Sequence, residues 1–378
     1  MKLTIVGDLG DTARLAGALA ERGHEVRVFT ADADAVSASG DFEIQPIPVS
    51  VTEGDRSEGL MPMIGEIGRH LVDAWRDERP DVVHCHGWTY GMAAQLAANR
   101  VPVATVQSFH SIGATDRTPR GAHGAPDTAV KLETLLARNA TAVTGACMDD
   151  MRALIDRGCP RGKASVLPPG VDVDDAGADE IVSRADADGP RVIAVARDLS
   201  PRQGLGQVLR TLPALGSAEL VMMTTDSATT NQFSEMLGFA TKLGAADRVR
   251  LIAGADHRTI TSEFRSGDVV VCPAPCESAY RITLQAMACG LPVVGPAAGG
   301  IRDAVIADVT GLLVPPGNAD ALRRALRSIL GQTVLRQGMG LAGRSRARSR
   351  YSWDRIATEA EAIFTSALTR HTSLAAAL

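Results

Sequence analysis

The residues best suited to chemistry gather in 269–316, VVVCPAPCESAYRITLQAMACGLPVVGPAAGGIRDAVIADVTGLLVPP. One carboxylate, Glu277, stands in a short loop between an apolar run, 269–272, and a helical pattern. Gly290 closes that helix, a second apolar strand follows at 291–294, and Gly299-Gly300 leads into another helix. Such a βαβ pattern puts polar groups at the carboxyl end of a strand and at a helix N-terminus. Open α/β sheets bind ligands there, and anionic ligands are favoured there. Solvation would explain a loop acid such as Glu277 equally well, and Gly10 and Gly300 read as turn glycines without further assumption. Cys272, Cys276 and Cys289 lie near the loop, but neither a histidine nor a second cysteine pair accompanies them. Packed thiols explain them better than a metal site. A lone histidine at a strand end is more often structural; His84 fits that reading, and His86 is ambiguous.

A scaffold of alternating strands and helices is needed to position these groups. Strand patterns fall at 2–6, 24–30, 81–84, 103–107, 142–145 and 165–167. Helical patterns at 88–99, 128–138 and 149–157 alternate with them, and Asp11 or Thr12 is expected to cap a helix running to about Arg22. Residues 172–190 are rich in Asp, Ala and Gly and read as a linker. A second series then begins, with strands at 192–196, 219–224, 248–252, 269–272 and 292–294 and helices at 206–212, 229–243 and 259–265. Strands separated by helices imply parallel sheets. The fold class is therefore α/β, two doubly wound, Rossmann-like domains with a ligand cleft expected between them. Domain bounds are 1–175, a linker at 176–190, 191–352, and a C-terminal helix within 353–378.

Composition narrows the function. The chain has 378 residues and a net charge of -5, which gives no reason to expect a nucleic-acid partner. No apolar run approaches the roughly 20 residues of a membrane span. The N-terminal strand is too short for a signal peptide. Six cysteines without framework spacing suggest reduced thiols and a cytoplasmic protein. Arg344, Arg346, Arg348 and Arg350 alternate, so a helix would spread them over two faces. A solvated surface is the plain reading; contact with anionic lipid or an acidic partner is the sharper one.

The motifs of 269–316 resemble those of the retaining glycosyltransferases of family 4, which have the GT-B fold. Members carry Glu, seven residues and a second Glu, then Ala-Met-Ala-x-Gly-x-Pro-Val-Val. Here Glu277 opens the pattern, Gln285 stands in the second Glu's place, and Ala286-Met287-Ala288-Cys289-Gly290-Leu291-Pro292-Val293-Val294 completes it. Gly299-Gly300, Thr310 to Gly317 and Tyr351-Ser352-Trp353 also match. So do Arg22-Gly23-His24-Glu25-Val26, Pro80 to His86, Phe109-His110 and Pro169-Gly170-Val171-Asp172. The resemblance covers nearly the whole chain. It implies that 191–352 binds a nucleotide-diphosphate sugar, that 1–175 binds a small or lipid-linked acceptor, and that the C-terminal helix returns to the first domain.

The resemblance also implies roles for individual residues. Charge builds on the diphosphate as the sugar leaves and must be met by a metal or by fixed cations. No acidic metal motif stands in a suitable loop, so neither metal nor cofactor is expected. Arg197 holds the place of a phosphate-binding Arg, and Gln203, just before Gly204, the place of the family's Lys. Glu277 would face the sugar hydroxyls, and Gln285 would accept one ribose hydrogen bond and donate another. Ala279, Tyr280, Arg281 and Ile282 would line the donor, with Arg281 supplying the charge that Gln203 lacks. His110 would stand beside the reacting sugar. Gly10, Asp11, His86 and Trp88 would face the acceptor, where Trp88 could stack on a sugar or simply pack. Two departures, Gln203 and Gln285, keep a second reading open: a catalytically degenerate, auxiliary binder of nucleotide sugars. A nucleotide-sugar epimerase of GT-B architecture fits the motifs around Met287 and Trp353 less well.

Overall fold

The computed structural model describes residues 1–32, 41–49, 59–109, 127–173, 189–274 and 277–376. The chain divides into two compact units, Met1–Gly170 with Trp353–Leu378, and Val171–Ser352.

The first unit is built on β1 (Lys2–Val6), β2 (Glu25–Thr30), β3 (Glu43–Pro46), β4 (Val82–His86), β5 (Ala104–Phe109), β6 (Ala142–Gly145) and β7 (Ala164–Val166). All pair in parallel, in the order β3-β2-β1-β4-β5-β6-β7. Helices α1 (Leu9–Glu21), α2 (Ile64–Asp77), α3 (Trp88–Ala98), α4 (Asp127–Asn139) and α5 (Met148–Asp156) belong to the same unit. The central strands are buried along almost their whole length, which is why they read as continuous apolar runs. The start of α1 differs from expectation. The helix opens at Leu9, whose N–H is accepted by the Asp32 carboxylate at 2.8 Å, and Thr12 lies inside it.

The second unit repeats the plan. Its sheet has the order β10-β9-β8-β11-β12-β13, again wholly parallel, from β8 (Arg191–Ala196), β9 (Glu219–Thr224), β10 (Val249–Ile252), β11 (Val269–Val271), β12 (Val293–Pro296) and β13 (Gly311–Val314). Its helices are α6 (Leu205–Thr211), α7 (Thr230–Lys242), α8 (His257–Arg265), α9 (Glu277–Ala288), α10 (Gly299–Ala304), α11 (Ala319–Leu330) and α12 (Thr333–Tyr351). Among the described residues, side chains cap three of them: Thr229 and Gln232 form a capping box on α7, Asp256 caps α8, and Asn318 caps α11.

The last helix, α13 (Trp353–Ala376), belongs to the first unit. Ile356, Ala357, Ala360, Phe364 and Ala367 recur at helical spacing and join Leu3, Ile5, Leu15 and Leu19 in one core. Arg22 holds its outer side through Glu361 at 2.6 Å and Asp354 at 2.9 Å.

Sequence periodicity missed α2, α11, α12, β3 and β13. Glycines explain two of these omissions. Gly68 in α2 lies where a methyl group would come within 3.2 Å of the Ala93 carbonyl of α3, and Gly340 in α12 where it would meet the Gly290 carbonyl at 2.0 Å. Residues that look like helix breakers here allow helices to approach closely.

Candidate active site

In a doubly wound sheet the strand order reverses between two neighbouring strands, and the loops at their carboxyl ends diverge to leave a crevice. In the second unit those strands are β8 and β11. Arg197 follows β8 directly, and Glu277 opens α9 just after β11. The Arg197 N–H donates to the Gln203 side-chain oxygen at 3.3 Å, and its Nε donates to Asp226 at 3.1 Å. Its side chain is 61% exposed. Asp198 turns the loop: burial pushes its carboxyl up, but hydrogen bonds from Ser200 and the charge of Arg202 outweigh this and hold it below the usual range. The loop closes at Gly204, whose φ is 78°; a methyl group there would lie 3.0 Å from Pro273 in the loop after β11. The glycine thus has both a left-handed backbone and a close neighbour to accommodate.

The helix that carries Glu277 is fixed from below. Thr283 is fully buried and donates to Cys272 Sγ at 3.3 Å, tying α9 to the end of β11. Cys272 is therefore a packed thiol. Gln285 is also buried, and its amide nitrogen donates to the His257 carbonyl at 3.2 Å and to Thr261 at 2.7 Å, both on α8. Both amide hydrogens are used inside the unit, so the donor expected for ribose is occupied and the carbonyl oxygen is what remains. Tyr280 is 4% exposed and Ile282 6%. The Tyr280 ring covers Gly300, where a methyl group would come within 2.0 Å of it, and meets Tyr351 edge-on at 6.4 Å. Arg281 is partly exposed on α9. The side chains of Asp11, Glu277 and Ala279 lie outside the described part of the structure, as do Cys276 and His110.

A residue missed in the sequence anchors the neighbouring helix. Arg346, grouped there with solvated arginines, donates to the carbonyls of Ala304 at 2.8 Å and Asp303 at 3.0 Å, while the Tyr351 hydroxyl donates to Asp303 at 3.2 Å. Together they cap the C-terminus of α10. Asp226, the partner of Arg197, was missed too. The only signal for it was its place after β9, the strand beside β8.

The corresponding reversal in the first unit lies between β1 and β4. Gly7 follows β1, and a methyl group there would lie 2.9 Å from the Cβ of His86 at the end of β4. Gly10 makes a kink in α1, with φ −14° and ψ −105°, and open space beside it. The Tyr90 hydroxyl donates to Asp8 at 3.1 Å, and burial pushes its pKa well up. His84 is buried, shares a hydrogen bond with the Ser108 hydroxyl at 2.6 Å, and its ring centre lies 4.3 Å from that of His86 with the planes tilted by 55°. Trp88 begins α3 and packs against the Phe109 cluster. His86, Ser108, Thr144, Leu15 and Trp353 border a cavity of about 20 Å³, room for about one water molecule.

Two wholly parallel doubly wound units, with polar loops at the reversal of each sheet, define the architecture of GT-B glycosyltransferases. Solved structures share it. Sucrose-phosphate synthase from Thermosynechococcus elongatus is similar with a TM-score of 0.82 over 96% of this chain and 98% of its own, at 21% identity. HepE from Anabaena, solved in complex with UDP and glucose, gives 0.75 over 97% and 100%, at 18% identity. Residues 11–170 match the glycosyl transferase 4-like domain, and residues 179–346 match the glycosyl transferases group 1 model. Similar curated proteins include the D-inositol 3-phosphate glycosyltransferase of Xylanimonas cellulosilytica, 27% identical over 94% of this chain and 90% of that one. The enzyme of the same name from Kineococcus radiotolerans is 29% identical over 92% and 88%. The chain belongs to the family 4 glycosyltransferases of GT-B fold.

Proposed function

We propose that this glycosyltransferase takes a hexose-type sugar from a nucleotide-diphosphate donor held by its second unit and passes it, with retention and without a metal, to a hydroxyl acceptor. The observation that carries the proposal is that Arg197 and the helix opening at Glu277 follow the two strands that flank the sheet reversal. A leaving diphosphate needs positive potential, and an exposed guanidinium together with the N-terminus of a 12-residue helix supplies it. Arg281, four residues further on, adds a second cation in this reading. His110, which follows β5, stands beside the reacting sugar. Gly10, Asp11, His86 and Trp88 serve the acceptor side. Retention rests on the family motifs, and the names of the relatives make inositol 3-phosphate the first acceptor to try. The reading carries with it a cytoplasmic place of action, where nucleotide sugars and reduced thiols are both found.

The decisive experiment supplies UDP-, GDP- and ADP-hexoses with D-inositol 3-phosphate in the presence of EDTA, measures nucleoside diphosphate release, and reads the product anomer by NMR. Release coupled to a glycoside that keeps the donor's anomeric configuration is expected. An inverted product overturns retention, and activity abolished by EDTA overturns metal independence. One observation favours the second reading, a degenerate auxiliary binder: the amides of Gln203 and Gln285 are both engaged within the unit. Calorimetric binding of a nucleotide sugar without turnover on any acceptor would establish it. Arg281→Ala should abolish donor binding; unchanged affinity sinks the role given to that residue.

A further inference from the structure

Away from the sheet reversals, charge is distributed very unevenly. Residues 319–351, which form α11 and α12, hold eight arginines (323, 324, 327, 336, 344, 346, 348 and 350) and one acid, Asp320, a balance of +7. The chain totals -5, so all other residues together carry −12. Several of the eight, Arg344 and Arg348 among them, make interactions within the protein. Arg323 pairs with Asp320 at 3.0 Å, Arg336 with Asp268 at 2.9 Å, and Arg346 caps α10. Arg324, Arg327 and Arg348 are exposed; Arg350 is exposed too, but two residues on from Arg348 it lies on the other face of α12. Large aliphatic side chains are exposed among them: Val334 at 84%, Leu341 at 65% and Leu335 at 40%. Val334, Leu341, Ser345 and Arg348 follow at i, i+7, i+11 and i+14, one line along the helix roughly 21 Å long at 1.5 Å per residue.

We propose that the outer face of α11 and α12 docks on an anionic membrane surface. The occupant must account for two observations at once. An acidic protein or polyanion would match the arginines and leave Val334 and Leu341 in water. A neutral bilayer would take the aliphatic side chains and leave the charge unanswered. An anionic headgroup layer receives the guanidinium groups while the aliphatic side chains enter the boundary with the acyl chains. Among the described residues no helix is long and apolar enough to cross a membrane, so the contact is peripheral. The proposal does not depend on which sugar the enzyme transfers.

The test is sedimentation of the full chain with phosphatidylcholine vesicles, with and without phosphatidylglycerol. Binding to the anionic vesicles alone is expected, with release at high salt, because surface attraction is screened within about 10 Å. Arg348→Glu should lower vesicle affinity by at least about tenfold. Arg324→Glu with Arg327→Glu is a second route should that variant fail to fold. Leu341→Ser keeps the charge and should still weaken binding. Equal binding to neutral vesicles, no binding to either, or full affinity in the charge-reversed variants overturns the proposal. Unchanged affinity in Leu341→Ser also overturns it and points to a soluble acidic partner.

Discussion

Gln203 and Gln285 occupy places where relatives carry charged groups, and their surroundings have adapted to the amides. Gln203 is 6% exposed and accepts the Arg197 N–H. A lysine cannot accept that bond and would bring a buried charge with it. Gln203→Lys should therefore lose about 1–3 kcal/mol of stability without ligand. Thermal denaturation should show part of this recovered on adding a nucleoside diphosphate; a variant as stable as the parent without ligand would remove the role given to the amide. Gln285→Glu should lose a similar amount, about 1–3 kcal/mol, because a carboxylate would face the His257 carbonyl. Both substitutions were legible in the sequence by their places in the motif. Their partners were not. His257 and Thr261 stand 28 and 24 residues from Gln285 and are brought to it by the packing of α8 on α9. The local pattern of neither helix records that contact.

At the scale of elements, the glycines of α12 offer a test in which two effects have opposite signs. Propensity alone favours alanine over glycine inside a helix by about 0.5–1 kcal/mol. Gly338 has nothing within 4 Å of an added methyl group, so Gly338→Ala should stabilise by that amount. Gly340 lies against the Gly290 carbonyl, so Gly340→Ala should destabilise by about 1–3 kcal/mol through overpacking. Urea denaturation of the two variants decides the matter; changes of the same sign would mean that α12 does not pack as described. Arg346→Ala removes the cap on α10 and should cost about 1–3 kcal/mol by the same measurement. The central strands of both sheets were legible because burial gives them continuous apolar runs; the edge strands β3 and β13, only partly buried, were not. α12 was not, because close packing placed glycines where a helix pattern wants side chains.

At the scale of the molecule, the first unit is discontinuous in sequence, and α13 is its seal. The Arg22 guanidinium, with His24 adding to it, holds the Glu361 carboxyl below the usual range against the opposing effect of partial burial. A lowered folded value means that this contribution is complete above about pH 4.3, the ordinary glutamate value, and is lost as pH falls further. Wild type should therefore melt above Glu361→Gln near neutral pH, and the gap should close on acidification. A gap independent of pH would show that the ion pair is idle. Cutting the chain after Ser352 would uncover the core face of Leu3, Ile5 and Leu19. Limited proteolysis should then degrade the first unit and spare the second; a resistant first unit would mean that α13 is dispensable. The same discontinuity bears on how the protein is made. Synthesis runs from β1 onward, yet the core around β1 stays incomplete until Phe364 has left the ribosome. The domain begun first is finished last, and throughout translation of the whole second unit its apolar face has only chaperones or its own collapsed chain to cover it.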